Sequence, residues 1–439
     1  MSSLFGTAVA RAARRSGGLL ALLLLAGAAQ AGQLRAGAAR VEITPTDLAA
    51  LNPMGGSFKG VHDPIYLRAL VLDDGHGSVA LVSTDLIEVG TMDAVRQRIA
   101  REVGIAADHV MIGASHDHSA PRLGRVTPGA LAHDGGPESD AYSAWVYDKM
   151  VGALKQAKAA LRPARLGSGR GQVDVNVNRD VYGAHGWGLG YAPDAPSDKR
   201  LGVLKIESLD GTPLALLLNY GVHSTVTLGT NEISGDLAGA AERYVEDALG
   251  HGVVALWTPA ALGDQAPRVS RPRGGDARRS DAVAYDAMNA QGLLVGAEAV
   301  RVASTMAPLK TDVRLAAAER VVACPAKQGR NLMADMKQQQ VDSVPLRLNL
   351  IMIGDVALTG VSGEVTNAIG TRLYALSPLT QTFLVSIAND RIGYLPSDAA
   401  YDQPLFEVNG SPVARGCAED AIVNGLSDMI RAALQERSP

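Results

Sequence analysis

Short apolar runs of β-forming residues alternate along this chain with stretches whose apolar residues recur at helical spacing. No strict βαβ rhythm connects them, which points to an α/β fold of mixed α+β layers built on mixed sheets. The runs 39–43, 66–72, 78–83 and 109–113 read as strands, with a helix over 94–103 between the last two. A long helix is expected over 139–161, opening at Ser139-Asp140 and carrying Trp145, Met150 and Leu154 at helical intervals. Extended segments follow at 165–177, 202–206 and 214–219, then a helix over 239–249, a strand over 253–257 and a helix over 278–304. The last third gives strands at 313–322, 344–353, 356–361 and 382–386 and helices over 366–376 and 418–434. With 439 residues, 47% of them hydrophobic, the chain can fill a full core, and 4% aromatics with 48 glycines make that core aliphatic with many tight turns. No clean linker divides it, so residues 32–439 are expected to form a single domain. The Gly/Pro-rich stretch 184–199, with Trp187 and Tyr191, reads as a long functional loop between strands.

The first residues belong to a different argument. Arg11, Arg14 and Arg15 precede the apolar run 19–27, which is shorter than the about 20 residues a bilayer needs. Ala29-Gln30-Ala31 supplies a small-x-small cleavage site, so 1–31 reads as a secretory signal peptide. A secreted or periplasmic protein is expected, with no transmembrane segment after cleavage. Removing the leader leaves 38 basic and 45 acidic residues, a balance of −7 that offers no basic stripe for nucleic acid and little attraction to anionic lipid. Cys324 and Cys417 are either a disulfide, permitted in an oxidising compartment and worth roughly 4 kcal/mol on the chain-entropy account, or two buried free thiols. The arginines at 268, 271, 273, 278 and 279 read as a solvated loop, with anion binding the alternative.

Of nine histidines, His76, His133, His185 and His251 read as surface or loop residues. His116 and His118 differ, because they close the apolar run 110–114 as Ser115-His116-Asp117-His118-Ser119-Ala120-Pro121. In an extended strand residues i and i+2 share a face, so both imidazoles are expected to project together from a sheet edge, an arrangement suited to zinc. His223 ends a second apolar run, where the alternative is a histidine bonded to backbone. A zinc site also calls for an anionic ligand. Glu364, between a strand and a helix, is a candidate, although an acidic residue at a helix N-terminus needs no such role.

In order along almost the whole chain that follows the expected leader, a series of short motifs resembles the neutral, non-lysosomal ceramidase family, specifically its N-terminal catalytic domain. Gly37 to Pro45 is similar to the family's opening strand; Gly60-Val61-His62-Asp63, Leu67 to Val71 and Val82 to Asp85 resemble the next blocks. The His116/His118 segment is similar to the family's Thr-His-Thr-His-Ser-Gly-Pro, and Asn176-Val177-Asn178-Arg179 to its Asn-Arg-Ser segment. Asn219 to His223 with Ile233 to Asp236, Gly363-Glu364, and Ala388 to Tyr394 resemble the remaining site blocks.

The resemblance implies a zinc-dependent amidohydrolase with one Zn2+ per chain, cleaving the N-acyl amide of ceramide or a related N-acyl lipid. It would place His116, His223, Glu364 and Tyr394 as metal ligands, His118 beside the reacting carbonyl as proton carrier, and Arg179 in the substrate site. Tyr394 is thus either a weak ligand or an oxyanion donor, or a buried tyrosine with a satisfied hydroxyl. The sequence also departs from the family. Ala266 stands where the family string has serine, leaving no nucleophile there, and Phe406 stands at a second family tyrosine. Asp117 replaces a threonine between the two histidines and is expected to make local hydrogen bonds. The family's C-terminal immunoglobulin-like domain is not expected in this chain. The alternatives are the same zinc site acting on a different amide or ester, or a non-catalytic periplasmic binding protein. The sequence does not set the oligomeric state.

Overall fold

The computed structural model describes residues 33–123, 137–274, 276–328 and 341–436. The expected signal peptide and His133 lie outside them. Eight strands form the larger sheet, in the order Val254–Pro259, Pro213–Tyr220, Arg200–Ser208, Arg162–Gln172, Arg35–Glu42, Tyr66–Asp73, Ser78–Thr84 and Val110–Ala114. A second sheet orders Leu315–Pro325, Ser343–Ile353, Val356–Val361 and Gln381–Ser386. Each is mixed: neighbours are antiparallel except for one parallel pair at each end of the large sheet and one in the small sheet.

Both faces of these strands are apolar, which is why they read so clearly in the sequence. Along Tyr66–Asp73, Leu70 and Leu72 face the second sheet and meet a core with Ile351, Leu358, Phe383 and Val385. The alternate residues Ala69 and Val71 pack with Ile99, Met150 and Leu154 of helices Asp93–Val103 and Pro137–Ala159. At the other end of the sheet, Leu216, Leu218 and Trp257 pack on Leu237 and Val295 of helices Asp236–Leu249 and Ala277–Ser304. The outer face of the small sheet is covered by Ile369, Leu373, Leu426 and Ile430. The result is four layers, helix–sheet–sheet–helix, each buried aliphatic side chain contributing about 1.5–3 kcal/mol. This is the mixed-layer α/β architecture expected from the pattern.

Three details differ from the sequence reading. The extended run over 165–177 is two strands, Arg162–Gln172 and Asn176–Gly183, in different sheets. About half of the expected loop over 184–199 is a strand, Gly186–Ala192, paired antiparallel with Asn176–Gly183. Its alternating glycines have weak intrinsic strand preference, so the pairing comes from the hairpin ladder itself. The last helix is interrupted by a π turn over Ala421–Gly425.

A single buried cation lies between the large sheet and helix Asp236–Leu249. Arg68, fully buried, contacts Asp85 (2.9 Å), Glu242 (2.8 Å) and Glu246 (3.0 Å), and Glu242 also accepts the Trp257 amide at 2.7 Å.

Cys324 and Cys417 form a disulfide, with Cα atoms 5.7 Å apart. It ties the strand Leu315–Pro325 to the start of the terminal helices. Beside it, the Ala414 amide donates to Pro325 O and the Lys327 amide to Pro412 O. Cys417→Ser is expected to cost about 2–5 kcal/mol, read as a lower midpoint in denaturant. An unchanged midpoint would show that the loop is held without the bridge.

Candidate active site

Five of the candidate residues lie beyond the carboxyl ends of parallel-paired strands, the part of an open α/β sheet where loops gather into a crevice, whereas Arg179 sits within the antiparallel strand Asn176–Gly183. His116 and His118 follow Val110–Ala114, and His223 follows Pro213–Tyr220. Glu364 follows Val356–Val361, and Tyr394 lies past Gln381–Ser386. Backbone hydrogen bonds stitch these loops together. The His118 amide donates to Ser224 O (3.0 Å), that of His223 to Gln265 O (3.0 Å) and that of Gly263 to Val365 O (2.9 Å). Asn389 clamps the strand that leads into the first histidine loop to the tyrosine loop, its side chain accepting from the Ile112 amide (2.8 Å) and donating to Val110 O (3.1 Å).

The two histidines of the His-x-His segment do meet, with Nε2 atoms 3.2 Å apart, but not by strand alternation. The strand ends at Ala114, and His116 adopts φ +64, a left-handed conformation uncommon for a side-chain-bearing residue and worth about 1–3 kcal/mol of strain. That turn swings the His116 ring toward His118. Asp117 is buried and accepts the Ser119 amide at 2.8 Å, the local role expected of it.

Glu364 and Tyr394 are brought side by side in a two-residue parallel ladder, Glu364–Val365 with Tyr394–Leu395. Gly363 leaves the room for it: a Cβ there would lie 2.8 Å from Gly393 O and 2.6 Å from Leu395 Cδ1. Gly363→Ala is therefore expected to force the two short strands apart and cost about 1–3 kcal/mol, measured by thermal denaturation. A variant as stable as the parent would mean that the ladder can open freely.

The chemistry of the cluster follows from its hydrogen bonds. His116 Nδ1 donates to Ile87 O (2.8 Å), and His223 Nδ1 faces Leu262 O (2.9 Å) and Gln265 O (3.0 Å). A carbonyl only accepts, so both Nδ1 atoms carry protons, and each ring turns its Nε2 inward. Glu364 Oε2 lies 3.2 Å from His116 Nε2 and 3.3 Å from His223 Nε2, and it is buried with no hydrogen-bond donor. Burial alone would raise the Glu364 carboxyl, yet His116 and Arg391 beside it hold it well below the usual carboxylate range. Burial pushes the His118 imidazole well below its ordinary value and that of His223 down to about 3, Arg179 adding to the effect at His223. Two imidazole nitrogens and a carboxylate oxygen thus converge on one point, where a cation could be held by all three. Nitrogen–nitrogen–oxygen is a donor set that suits zinc. One ring nitrogen from each of His116, His118 and His223 lies within 4.8 Å of the other two. The residues fit a metal ion.

Arg179 completes the wall. Its Nη1 is 3.1 Å from His223 Nε2, and its guanidinium lies 5.5 Å from the ring centres of both Tyr394 and Phe406. Tyr394 stacks beside His223 (centroids 6.5 Å, planes 22° apart), and burial raises its hydroxyl pKa, so the phenol stays protonated. Phe406 packs edge-on against Tyr394 at 5.6 Å, and Ala266 is half-buried opposite Val177.

The sequence reading did not single out Arg391, Glu88 or Glu407. Arg391 Nη2 holds Glu364 Oε1 at 2.8 Å, and its Nε reaches Glu88 at 3.1 Å. Glu407 receives Arg179. A buried carboxylate demands a cation, but which arginine serves it depends on loops far apart in sequence.

The family model described as neutral/alkaline non-lysosomal ceramidase, N-terminal, matches residues 52–286. The chain belongs to this family. His116, His118, Arg179 and His223 of the ceramidase-family chain lie inside the matched stretch; Glu364 and Tyr394 lie beyond it. Neutral ceramidase A of Dictyostelium discoideum is 28% identical over 193 residues, 42% of this chain and 27% of that protein. Neutral ceramidase B of the same organism is 26% identical over 194 residues, with the same coverage of both chains. Each alignment therefore spans about a quarter of the curated relative. The fold is that of neutral ceramidase from Pseudomonas aeruginosa (TM-score 0.74, 19% identity, 93% of this chain and 75% of that one). A structure of ceramidase complexed with C2 is similar (TM-score 0.72, 20% identity, 93% and 76%).

Proposed function

We propose that this protein is a zinc-dependent amidohydrolase that cleaves the N-acyl amide of ceramide, or of a closely related N-acyl lipid, to a fatty acid and an amine. Membership of the ceramidase family supports the substrate class. The observation that carries the chemistry is the approach of His116 Nε2 and His223 Nε2 to Glu364 Oε2, at 3.2 and 3.3 Å, with both Nδ1 protons committed to backbone carbonyls. These three groups, with the Tyr394 hydroxyl as a weaker fourth, would hold one Zn2+ per chain. A bound zinc ion polarises an acyl carbonyl and makes water acidic enough to react near pH 7.

The side chains around the cluster then divide the work. His118, kept neutral by burial, accepts a proton from the attacking water and returns it to the nitrogen as the carbon–nitrogen bond breaks. Arg179 faces the acyl oxygen with an N–H donor, where negative charge develops. Arg391 neutralises the outer oxygen of Glu364 and fixes its rotamer. Ala266 leaves attack to water. We further infer export to the periplasm or beyond, a reading supported by the leader-like N-terminus and by the Cys324–Cys417 bridge. Among the described residues no helix is long and apolar enough to cross a membrane.

Metal analysis together with turnover tests the proposal. The purified protein should hold about one zinc per chain. It should release fatty acid from a labelled short-chain ceramide, lose this with a strong chelator and regain it on adding zinc. Zinc-loaded protein inert toward ceramide and every other N-acyl substrate would support a non-catalytic binding protein instead.

A further inference from the structure

Arg179 is held more firmly than contact with the histidines requires. Glu407, buried on the short helix Phe406–Asn409, receives Nε at 2.8 Å and Nη2 at 2.6 Å on the same oxygen, Oε1. Gly263 O accepts the other Nη2 proton at 2.6 Å. Those bonds occupy one whole edge of the guanidinium. The Nη1 corner is what remains, and it points to His223 Nε2 and lies beside the Tyr394 hydroxyl. The helix that carries Glu407 is itself fixed. The Tyr394 amide donates to Gly410 O at 3.3 Å, and Lys327 Nζ bonds to Val408 O and Asn409 O. Phe406, next to Glu407, brings a ring without a donor, so the polar contribution of this wall comes from Arg179.

We propose that Glu407 is a positioning residue: it anchors Arg179 so that the Nη1 corner faces the place where an acyl oxygen sits, whether substrate carbonyl, tetrahedral oxyanion or product carboxylate. The inference rests on the amidohydrolase reading for its substrate class. Its physical content is a competition. A guanidinium released from Glu407 is free to pair with Glu364, the carboxylate needed among the histidines, and a shift of about 1 Å in such a group costs about 10²-fold in rate.

A double-variant cycle on the full-length, zinc-loaded protein tests this with two readouts. Octanoate, standing in for the product carboxylate, is titrated calorimetrically into the parent, Glu407→Gln, Arg179→Gln and the double variant, and ceramide turnover is measured on the same four. Each single change is expected to weaken octanoate about tenfold and slow turnover about 10²-fold, with zinc content unchanged. The double variant should be no worse than Arg179→Gln alone, because Glu407 acts only through the arginine. Millimolar guanidinium should restore turnover to Arg179→Gly and not to Arg179→Gly/Glu407→Gln. Multiplying single effects, or equal rescue in both backgrounds, would overturn the proposal. If Glu407→Gln does not fold, Glu407→Asp, which keeps the charge, enters the same cycle and decides it. Should the protein hydrolyse no N-acyl substrate, the amidohydrolase reading fails on turnover, and the octanoate cycle still judges the role of Glu407.

Discussion

His223→Ala is expected to reduce bound zinc from about one per chain to less than about a tenth, and fatty-acid release by at least about 10³-fold. The imidazole is fully enclosed, its Nδ1 proton is committed to Leu262 O and Gln265 O, and its Nε2 lone pair is one of three donors meeting at a point. Alanine removes that donor and puts nothing in its place, leaving His116, Glu364 and the weak Tyr394 hydroxyl to hold the ion. His118→Ala is the control that separates binding from proton transfer. It should keep its zinc and lose about 10²–10⁴-fold in turnover. If His223→Ala retains both metal and activity, the ion does not sit at this cluster and the proposed function must be rebuilt elsewhere. Loss of zinc from His118→Ala as well would promote that residue from proton carrier to ligand.

The largest loss of stability is expected away from the site, in Arg68→Met. Arg68 is the cation against which Asp85, Glu242 and Glu246 are buried, and Arg40 adds a second, outer contact to Glu246. Burial pushes the Glu242 carboxyl well above its usual range even with Arg68 present, and Asp85 adds to the rise. Taking the guanidinium away leaves Asp85 and Glu242 without their counter-ion in an interior that solvates them poorly. The cost is about 3–5 kcal/mol, or a fall of about 4–6 °C in melting temperature for a chain of this size. Methionine fills similar volume, so the loss measures charge rather than a cavity. A melting temperature within about 1 °C of the parent would mean that the carboxylates take up protons at little cost. Replacing Arg68, Glu242 and Glu246 together by apolar residues should recover much of the loss, since a buried ion pair contributes little net stability over a well-packed apolar core.

Much of this protein is written locally. The strands over 66–73, 78–84, 213–220 and 356–361 were visible because they are apolar on both faces, so the sequence announces them whatever they pack against. The ligand-type residues were visible as well, since histidines closing apolar runs stand out and the order of motifs matches the ceramidase family. Other features needed the third dimension. Gly186–Ala192 is a strand only because Asn176–Gly183 lies beside it. His116 and His118 meet through a left-handed turn rather than through the pleat. Arg391 and Glu407 are ordinary charged residues until burial obliges each to find an opposite charge across the fold. Periodicity and residue chemistry act over a few positions, so the chain alone determined its layers and the kinds of group that could react. Ion pairing, tautomer choice and the approach of lone pairs depend on distances between loops remote in sequence, and only the packing of the two sheets decided those.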